Sequence, residues 1–127
     1  VSEKPKILIA EDHDLSRDML ARRLRRKGFD VVTAVDGEDA VRTALDTLPD
    51  VILMDLSMPG VDGWEAVKWI RKNPSIAKIP VIALTAHEME GLVGAVRSGG
   101  FDGFETKPID LPRLVEKIRG KLARISA

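Results

Sequence analysis

Four short stretches of this chain carry side chains that could do chemistry together. Glu11 and Asp12 stand side by side after one apolar run, and Asp55, with Ser57 two further on, follows a second. Thr85 follows a third run, and Lys107-Pro108 follows a weaker one. Brought into one cleft, three carboxylates would repel and raise one another's pKa. Protonation or a bridging lysine would relieve that repulsion. So would a hard divalent cation held by oxygen ligands. Mg²⁺ suits such a set, because it binds through one or two carboxylates, keeps waters and completes its shell with phosphate oxygens. Lys107 would add a second positive point and Thr85 a hydroxyl donor. That constellation fits phosphoryl transfer: a carboxylate attacks in line and forms an acyl phosphate. The cation and the ammonium then neutralise the equatorial oxygens of a loose transition state. An ionised nucleophile needs no general base.

These residues are far apart in the chain, so the reading depends on the elements that would carry them. Ile7-Leu8-Ile9, Val51-Ile52-Leu53-Met54 and Val81-Ile82-Ala83-Leu84 are apolar on both faces. Such runs indicate parallel strands covered on both sides. Val31-Val32 and Phe101 to Phe104 are weaker, polar-flanked strand candidates that suit the sheet edges. Helical patterns fill the gaps. Residues 14–27 open with Asp14 and Asp18 and close with Arg25, Arg26 and Lys27, matching a helix dipole, and Gly28 then stops the helix. Residues 38–48 align Ala40, Val41, Ala44, Leu45 and Leu48, and residues 64–72 align Trp64, Val67 and Ile70. Residues 88–98 form a weaker helix, since Gly91 and Gly94 each cost about 1 kcal/mol relative to alanine. Residues 111–124 place Leu111, Leu114, Val115, Ile118 and Leu122 at helical spacing behind Asp110 as N-cap.

Five βα units in a row predict a three-layer, doubly wound α/β domain with a five-stranded parallel sheet and right-handed crossovers. Ligands of such sheets bind beyond the carboxyl ends of the strands. There Glu11, Asp12, Asp55, Ser57, Thr85 and Lys107 would meet.

The 127 residues predict one domain, 1–127, with a substantial core. The 20 basic and 20 acidic residues cancel, so no global field attracts nucleic acid or an anionic membrane. There is no cysteine, which excludes disulfide and thiol chemistry. No apolar run approaches the roughly 18 residues of a membrane span, and VSEKPK has no apolar signal region. A soluble, cytoplasmic protein is expected. The chain opens on Val1 rather than Met, which suggests trimming.

Glu11-Asp12, the segment Asp55-Leu-Ser-Met-Pro-Gly-Val-Asp-Gly63, Leu84-Thr85-Ala86 and Lys107-Pro108 together resemble the signature of response-regulator receiver domains. The resemblance covers nearly the whole chain, with the pieces in order and each at a strand end. It implies a flavodoxin-like strand order, 2-1-3-4-5. It implies a phosphoacceptor at Asp55, fed by a sensor histidine kinase or a histidine phosphotransfer protein. It implies Mg²⁺ held directly by Asp12 and Asp55, with the Ser57 carbonyl, and with Glu11 acting mainly through metal-bound water. Thr85 resembles the switch hydroxyl and Lys107 its partner lysine, in a peptide to Pro108 that is usually cis in the family. Phe104 stands where the family carries a rotating aromatic; with no hydroxyl, it keeps the rotor and loses the hydrogen bond of a tyrosine. The surface expected to carry the output is the 88–98 helix, the Phe104 strand and the 111–124 helix. The downstream partner or attached output is not written in the sequence.

Competing readings are weaker. An aspartate-nucleophile phosphatase would want a second aspartate two residues past the first, where this chain has Ser57. A flavin carrier of the same fold would want a glycine or hydroxyl cradle, where this chain has Glu11-Asp12-His13-Asp14. His13 and His87 are expected on the pocket rim; no close HxH or HxxxH spacing supports a transition-metal site. The run Arg22 to Lys27 reads as a solvated helix face suited to docking the phosphodonor rather than nucleic acid. Trp64 is expected to pack and Trp69 to be exposed. No DNA-binding or enzymatic module follows the last helix, and the reading leans to a stand-alone or terminal receiver.

Overall fold

The computed structural model describes residues 4–86 and 93–126. Strands β1 (Lys6–Ala10), β2 (Asp30–Ala34), β3 (Val51–Asp55), β4 (Val81–Thr85) and β5 (Gly103–Thr106) alternate with helices. These are α1 (Asp14–Arg26), α2 (Gly37–Thr47), α3 (Gly63–Lys72), α4 (Val93–Ser98) and α5 (Leu111–Ser126). All strand pairs are parallel and the order is β2-β1-β3-β4-β5. The two polar-flanked strands are therefore the edges. The chain reverses direction across the sheet between β1 and β3, and the crevice at that switch point is the expected ligand site.

The continuous apolar runs are explained by the two covered faces. Ile7, Ile9, Val51, Leu53, Ile82 and Leu84 pack with Leu20, Leu24, Leu114 and Ile118 of α1 and α5. Their alternating neighbours Leu8, Ala10, Ile52, Met54, Val81 and Ala83 pack with Ala40, Ala44, Ala66, Val67 and Ile70 of α2 and α3. A strand alternates its side chains between faces, so burial of both faces erases the polar half of the pattern. Helix ends follow local chemistry. His13, Asp36 and Asp62 accept from the N–H groups of Ser16, Asp39 and Glu65. The Arg113 N–H bonds Asp110 Oδ1 at 3.1 Å, as the N-cap reading expects. Gly28, at φ 96°, ends α1.

Two elements differ from expectation. The last strand is Gly103–Thr106, not 101–104. Phe101 is buried ahead of it, edge-on to Trp64 with centroids 5.5 Å apart. Asp102 is a link: its N–H donates to the Val81 carbonyl at 2.8 Å, and its carboxylate accepts from the Val81 N–H at 2.8 Å. The strand then buries Glu105, a residue that a search for apolar runs passes over. In α2, Gly37, Ala40 and Ala44 form the buried stripe; Leu45 is in the helix but off that face and is exposed, and Leu48 is exposed past the helix end at φ 48°. Of the expected 88–98 helix, Val93–Ser98 is helical and 88–92 lie outside the described residues. Trp69 is 39% exposed, and Trp64 is partly buried.

Among the described residues, no helix is long and apolar enough to cross a membrane.

Candidate functional site

The carboxyl ends of β1, β3, β4 and β5 converge on one pocket. Asp55 is the last residue of β3 and pairs in register with Leu84, next to Thr85 at the end of β4. Thr85 pairs with Thr106, so Lys107 follows directly, and its N–H donates to the Thr85 carbonyl at 2.7 Å. The Lys107-Pro108 peptide is cis. Glu11 and Asp12 follow β1, and the Glu11 N–H is tied to the Ala34 carbonyl of β2 at 3.1 Å.

The centre is one ammonium shared by two buried acids. Lys107 Nζ lies 2.6 Å from Glu11 Oε1 and 2.8 Å from Asp55 Oδ2. Asp55 Oδ1 accepts from the Ser57 N–H at 2.9 Å. Glu11 Oε2 accepts from the His13 N–H at 3.2 Å, and Arg17 holds the Glu11 carbonyl at 2.9 Å. Glu11 and Asp55 are buried, whereas Asp12 is exposed at the mouth. One carboxylate oxygen from each of Glu11, Asp12 and Asp55 falls within 4.8 Å of the others.

The electrostatics are those of an underneutralised acid cluster. Burial pushes the Glu11 carboxyl above the ordinary carboxylate range, and the neighbouring Asp55 adds to the rise. Lys107 and the His13 N–H oppose the rise without cancelling it. Burial alone would lower the Lys107 ammonium, but bonds to Asp55 and Glu11 outweigh it and hold the group above the ordinary lysine value. One lysine thus faces three carboxylates. The donor set is all hard oxygen and carries excess negative charge, which fits a small divalent cation such as Mg²⁺.

The sign of the pH dependence follows. A carboxyl raised in the folded state contributes stability that is present below its ordinary value of about 4.5 and is lost as pH rises through the raised value. At neutral pH, without divalent cation, ionised Glu11 therefore weighs against the fold. Glu11→Gln is expected to have a higher urea midpoint than wild type at pH 7 in chelator. The gap should shrink as pH falls through the raised value. Saturating Mg²⁺ should reverse the order, since a ligand that binds only the native state stabilises it. A Glu11→Gln variant less stable than wild type in chelator at pH 7 would refute this account of the cluster.

The expected site residues have different positions. Glu11, Asp12, Asp55, Thr85 and Lys107 come together. Ser57 is exposed and reaches Asp55 through its N–H. His13 is exposed beside Glu11 and caps α1, its Nδ1 accepting from the Ser16 N–H at 3.4 Å. His87 lies outside the described residues. Phe104 pairs with Ala83, two residue pairs short of the Thr85–Thr106 pair that ends the strands at the pocket, and its ring faces Lys117 Nζ at 5.1 Å from the centroid. Lys117 also donates to the Phe104 carbonyl and pairs with Glu105. The other Glu105 oxygen is bonded by Arg113 at 2.8 Å. Sequence reasoning missed this α5 clasp on the strand of Phe104. Its one legible signal was Arg113 and Lys117 four residues apart on one helix face.

A doubly wound parallel sheet with a lysine-bridged acid cluster at its switch point narrows the chain to a class of α/β domain whose cleft suits a hard cation. The comparisons identify that class. The chain belongs to the response regulator receiver domain family, whose model matches residues 7–119. It is 34% identical to the polar-differentiation response regulator DivK of Brucella anthropi over 116 residues, 91% of this chain and 94% of that protein. The Francisella response regulator 1452 receiver domain superposes with TM-score 0.89 at 28% identity, over 96% of this chain and 99% of that one. The receiver domain of sensor histidine kinase PA1611 from Pseudomonas aeruginosa PAO1 superposes with TM-score 0.87 at 30% identity, over 95% and 99% of the two chains. That structure has a magnesium ion coordinated in its active site cleft. The chain is accordingly a two-component signalling module with an acidic metal-site cluster, not an enzyme acting on a separate substrate.

Proposed function

We propose that Asp55 takes a phosphoryl group from a phosphohistidine and that the resulting aspartyl phosphate switches the surface around Phe104. The observation that carries this reading is the single Lys107 ammonium bonded to both Asp55 and Glu11, with Asp12 alongside. In the transfer, an Asp55 carboxylate oxygen attacks phosphorus, the nitrogen–phosphorus bond breaks and the donor imidazole keeps the electron pair. Lys107 leaves part of its pairing with Asp55 and bonds a phosphoryl oxygen. Thr85, at the end of β4, turns its hydroxyl toward another. Asp12, Asp55 and the Ser57 carbonyl would hold Mg²⁺ directly, with Glu11 one step further out. Mg²⁺ supplies charge neutralisation of the phosphoryl oxygens.

Phe104 is the switch residue in this reading. Once Thr85 moves, the ring can leave its place against Lys117. The affected surface is α4, β5 and α5, and the downstream partner reads it. Ser57 and His13, which bond Asp55 and Glu11 through their N–H groups, would tune water attack on the acyl phosphate, and His87, two residues past Thr85 in the sequence, would share that role.

The phosphodonor, a sensor histidine kinase or histidine phosphotransfer protein, would seat on α1. Leu15 is 63% exposed and Met19 is 52% exposed there. A groove of about 310 Å³ runs from Met19, Leu20 and Arg23 past Pro108 and Ile109 to Lys107. Exposed apolar side chains beside a reactive pocket suit a helical partner. The test separates chemistry from docking. Met19→Arg is expected to slow transfer at least about tenfold from whichever phosphorylated histidine kinase, in a panel, labels wild type fastest. It should leave labelling by acetyl phosphate within about twofold of wild type. Equal slowing with both donors would place the defect in the chemistry and overturn the docking assignment.

A further inference from the structure

The loop between Asp55 and α3 has no ladder partner past Leu56, yet it must hold Ser57 against Asp55. Two glycines account for this, and only one belongs to the loop's own segment. Gly63 opens α3 and Gly37 opens α2. Neither has positive φ, so neither is required for backbone freedom. Alanine would favour the helix by roughly 1 kcal/mol. Space is what requires them. A Cβ on Gly63 would lie 2.3 Å from the Asp55 carbonyl oxygen. A Cβ on Gly37 would lie 2.2 Å from the Val61 carbonyl oxygen and 2.8 Å from its carbon. In both cases the obstacle is backbone, which cannot rotate aside as a side chain can.

The N–H groups complete the arrangement. The first helical N–H has no partner inside its own helix. The Gly63 N–H donates to the Leu56 carbonyl at 3.3 Å, and the Gly37 N–H donates to the Val61 carbonyl at 3.0 Å. One end of the loop is therefore held by its own helix. The other is held by α2, which contributes nothing to the acid cluster itself.

We propose that Gly37 is a positioning residue for Asp55: its close, hydrogen-bonded contact with the Val61 carbonyl sets the loop that presents Ser57 and Asp55 to metal and phosphoryl group. This rests on Asp55 as the phosphoacceptor and adds a determinant from outside the pocket. A displaced loop moves the Ser57 N–H that holds Asp55 Oδ1 at 2.9 Å. Misplacement on the scale of 1 Å can cost on the order of 100-fold in rate.

The experiment is Gly37→Ala, with Gly120→Ala as the reference, since a Cβ at Gly120 meets nothing within 4 Å. Both are assayed under conditions where circular dichroism and the urea baseline show folded protein. Labelling by acetyl phosphate at saturating Mg²⁺ is expected to slow on the order of 10- to 100-fold in Gly37→Ala. Mg²⁺ affinity by calorimetry should weaken severalfold, and Gly120→Ala should match wild type in both. A role in stability alone would lower the urea midpoint of Gly37→Ala and leave rate and affinity at wild-type values, which would overturn the proposal. If Gly37→Ala does not fold, amide exchange in wild type decides. Saturating Mg²⁺ should slow exchange of the Gly37 N–H severalfold, and unchanged exchange overturns the coupling. Failure of wild type itself to label would instead remove Asp55 as phosphoacceptor, so the two failures are distinguishable.

Discussion

Asp55→Asn is expected to reduce labelling by acetyl phosphate and Mg²⁺ to background, while the chain stays folded. The measurement is the gain of one phosphoryl mass, or radiolabel, against time. The amide lacks the anionic oxygen that must attack phosphorus, and no other acid in the pocket can replace it. Glu11 is buried and engaged by Lys107 and the His13 N–H. Asp12 is exposed and stands at the mouth, on a different strand end. The same change removes one of three clustered carboxylates, so the variant should also bind Mg²⁺ more weakly. Without divalent cation it should be no less stable than wild type, because part of the repulsion that raises the Glu11 pKa is gone. Labelling of Asp55→Asn at the wild-type rate would disprove the central assignment.

Lys107→Ala is expected to separate chemistry from metal binding. Labelling should fall by about 100-fold or more, the scale on which a fixed charge aimed at a transition state contributes. Mg²⁺ affinity should persist or increase, because the ammonium that competes for Glu11 and Asp55 is gone. Without metal the variant should lose about 2 kcal/mol in urea unfolding. That is below the range for breaking a fully buried pair, since the Lys107 side chain keeps 29% exposure. Saturating Mg²⁺ should restore most of the loss. Wild type should show the alkaline counterpart. The Lys107 pKa is raised in the fold, so its contribution is full below the ordinary value of 10.5 and is lost as pH climbs through the raised one. A Lys107→Ala variant that labels normally, or that Mg²⁺ fails to stabilise, would contradict the roles given to the lysine.

Much of this site could be read from residue order. The strands ending at Ala10, Asp55 and Thr85 show as apolar runs because both faces of the sheet are covered. A polar residue that breaks such a run at its carboxyl end must lie at the sheet edge where ligands bind. Asp12, Asp55, Thr85 and Lys107 were therefore legible without coordinates. So were the edge positions of β2 and β5, since an edge strand tolerates polar flanks.

Other features were illegible for specific reasons. Glu105 is an acid in a strand interior, contrary to the local pattern, and it is buried only because Arg113 and Lys117 of α5 close over it. The last strand starts after Phe101, which had looked like strand and instead packs edge-on to Trp64. Leu45 and Leu48 fitted a helical stripe but both stay exposed: Leu45 lies off the face that Gly37, Ala40 and Ala44 bury, and the chain leaves the helix at Leu48. Gly37 stood just ahead of the expected 38–48 helix and carried no signal of its own, because its obstacle is the carbonyl of Val61 in another loop.

The sequence by itself determined the alternation of strands and helices, the covered parallel sheet and the residue types that meet at its carboxyl edge. Periodicity and strand ends are local properties, and local physics writes them into residue order. Tertiary structure alone decided which contacts those residues make. It set the sharing of Lys107 between Glu11 and Asp55, the burial that raises Glu11, the α5 clasp on Glu105 and Phe104, and the backbone contact between Gly37 and Val61. Each depends on distances between segments remote in the chain. Those distances exist only once the two hydrophobic layers have packed against the sheet.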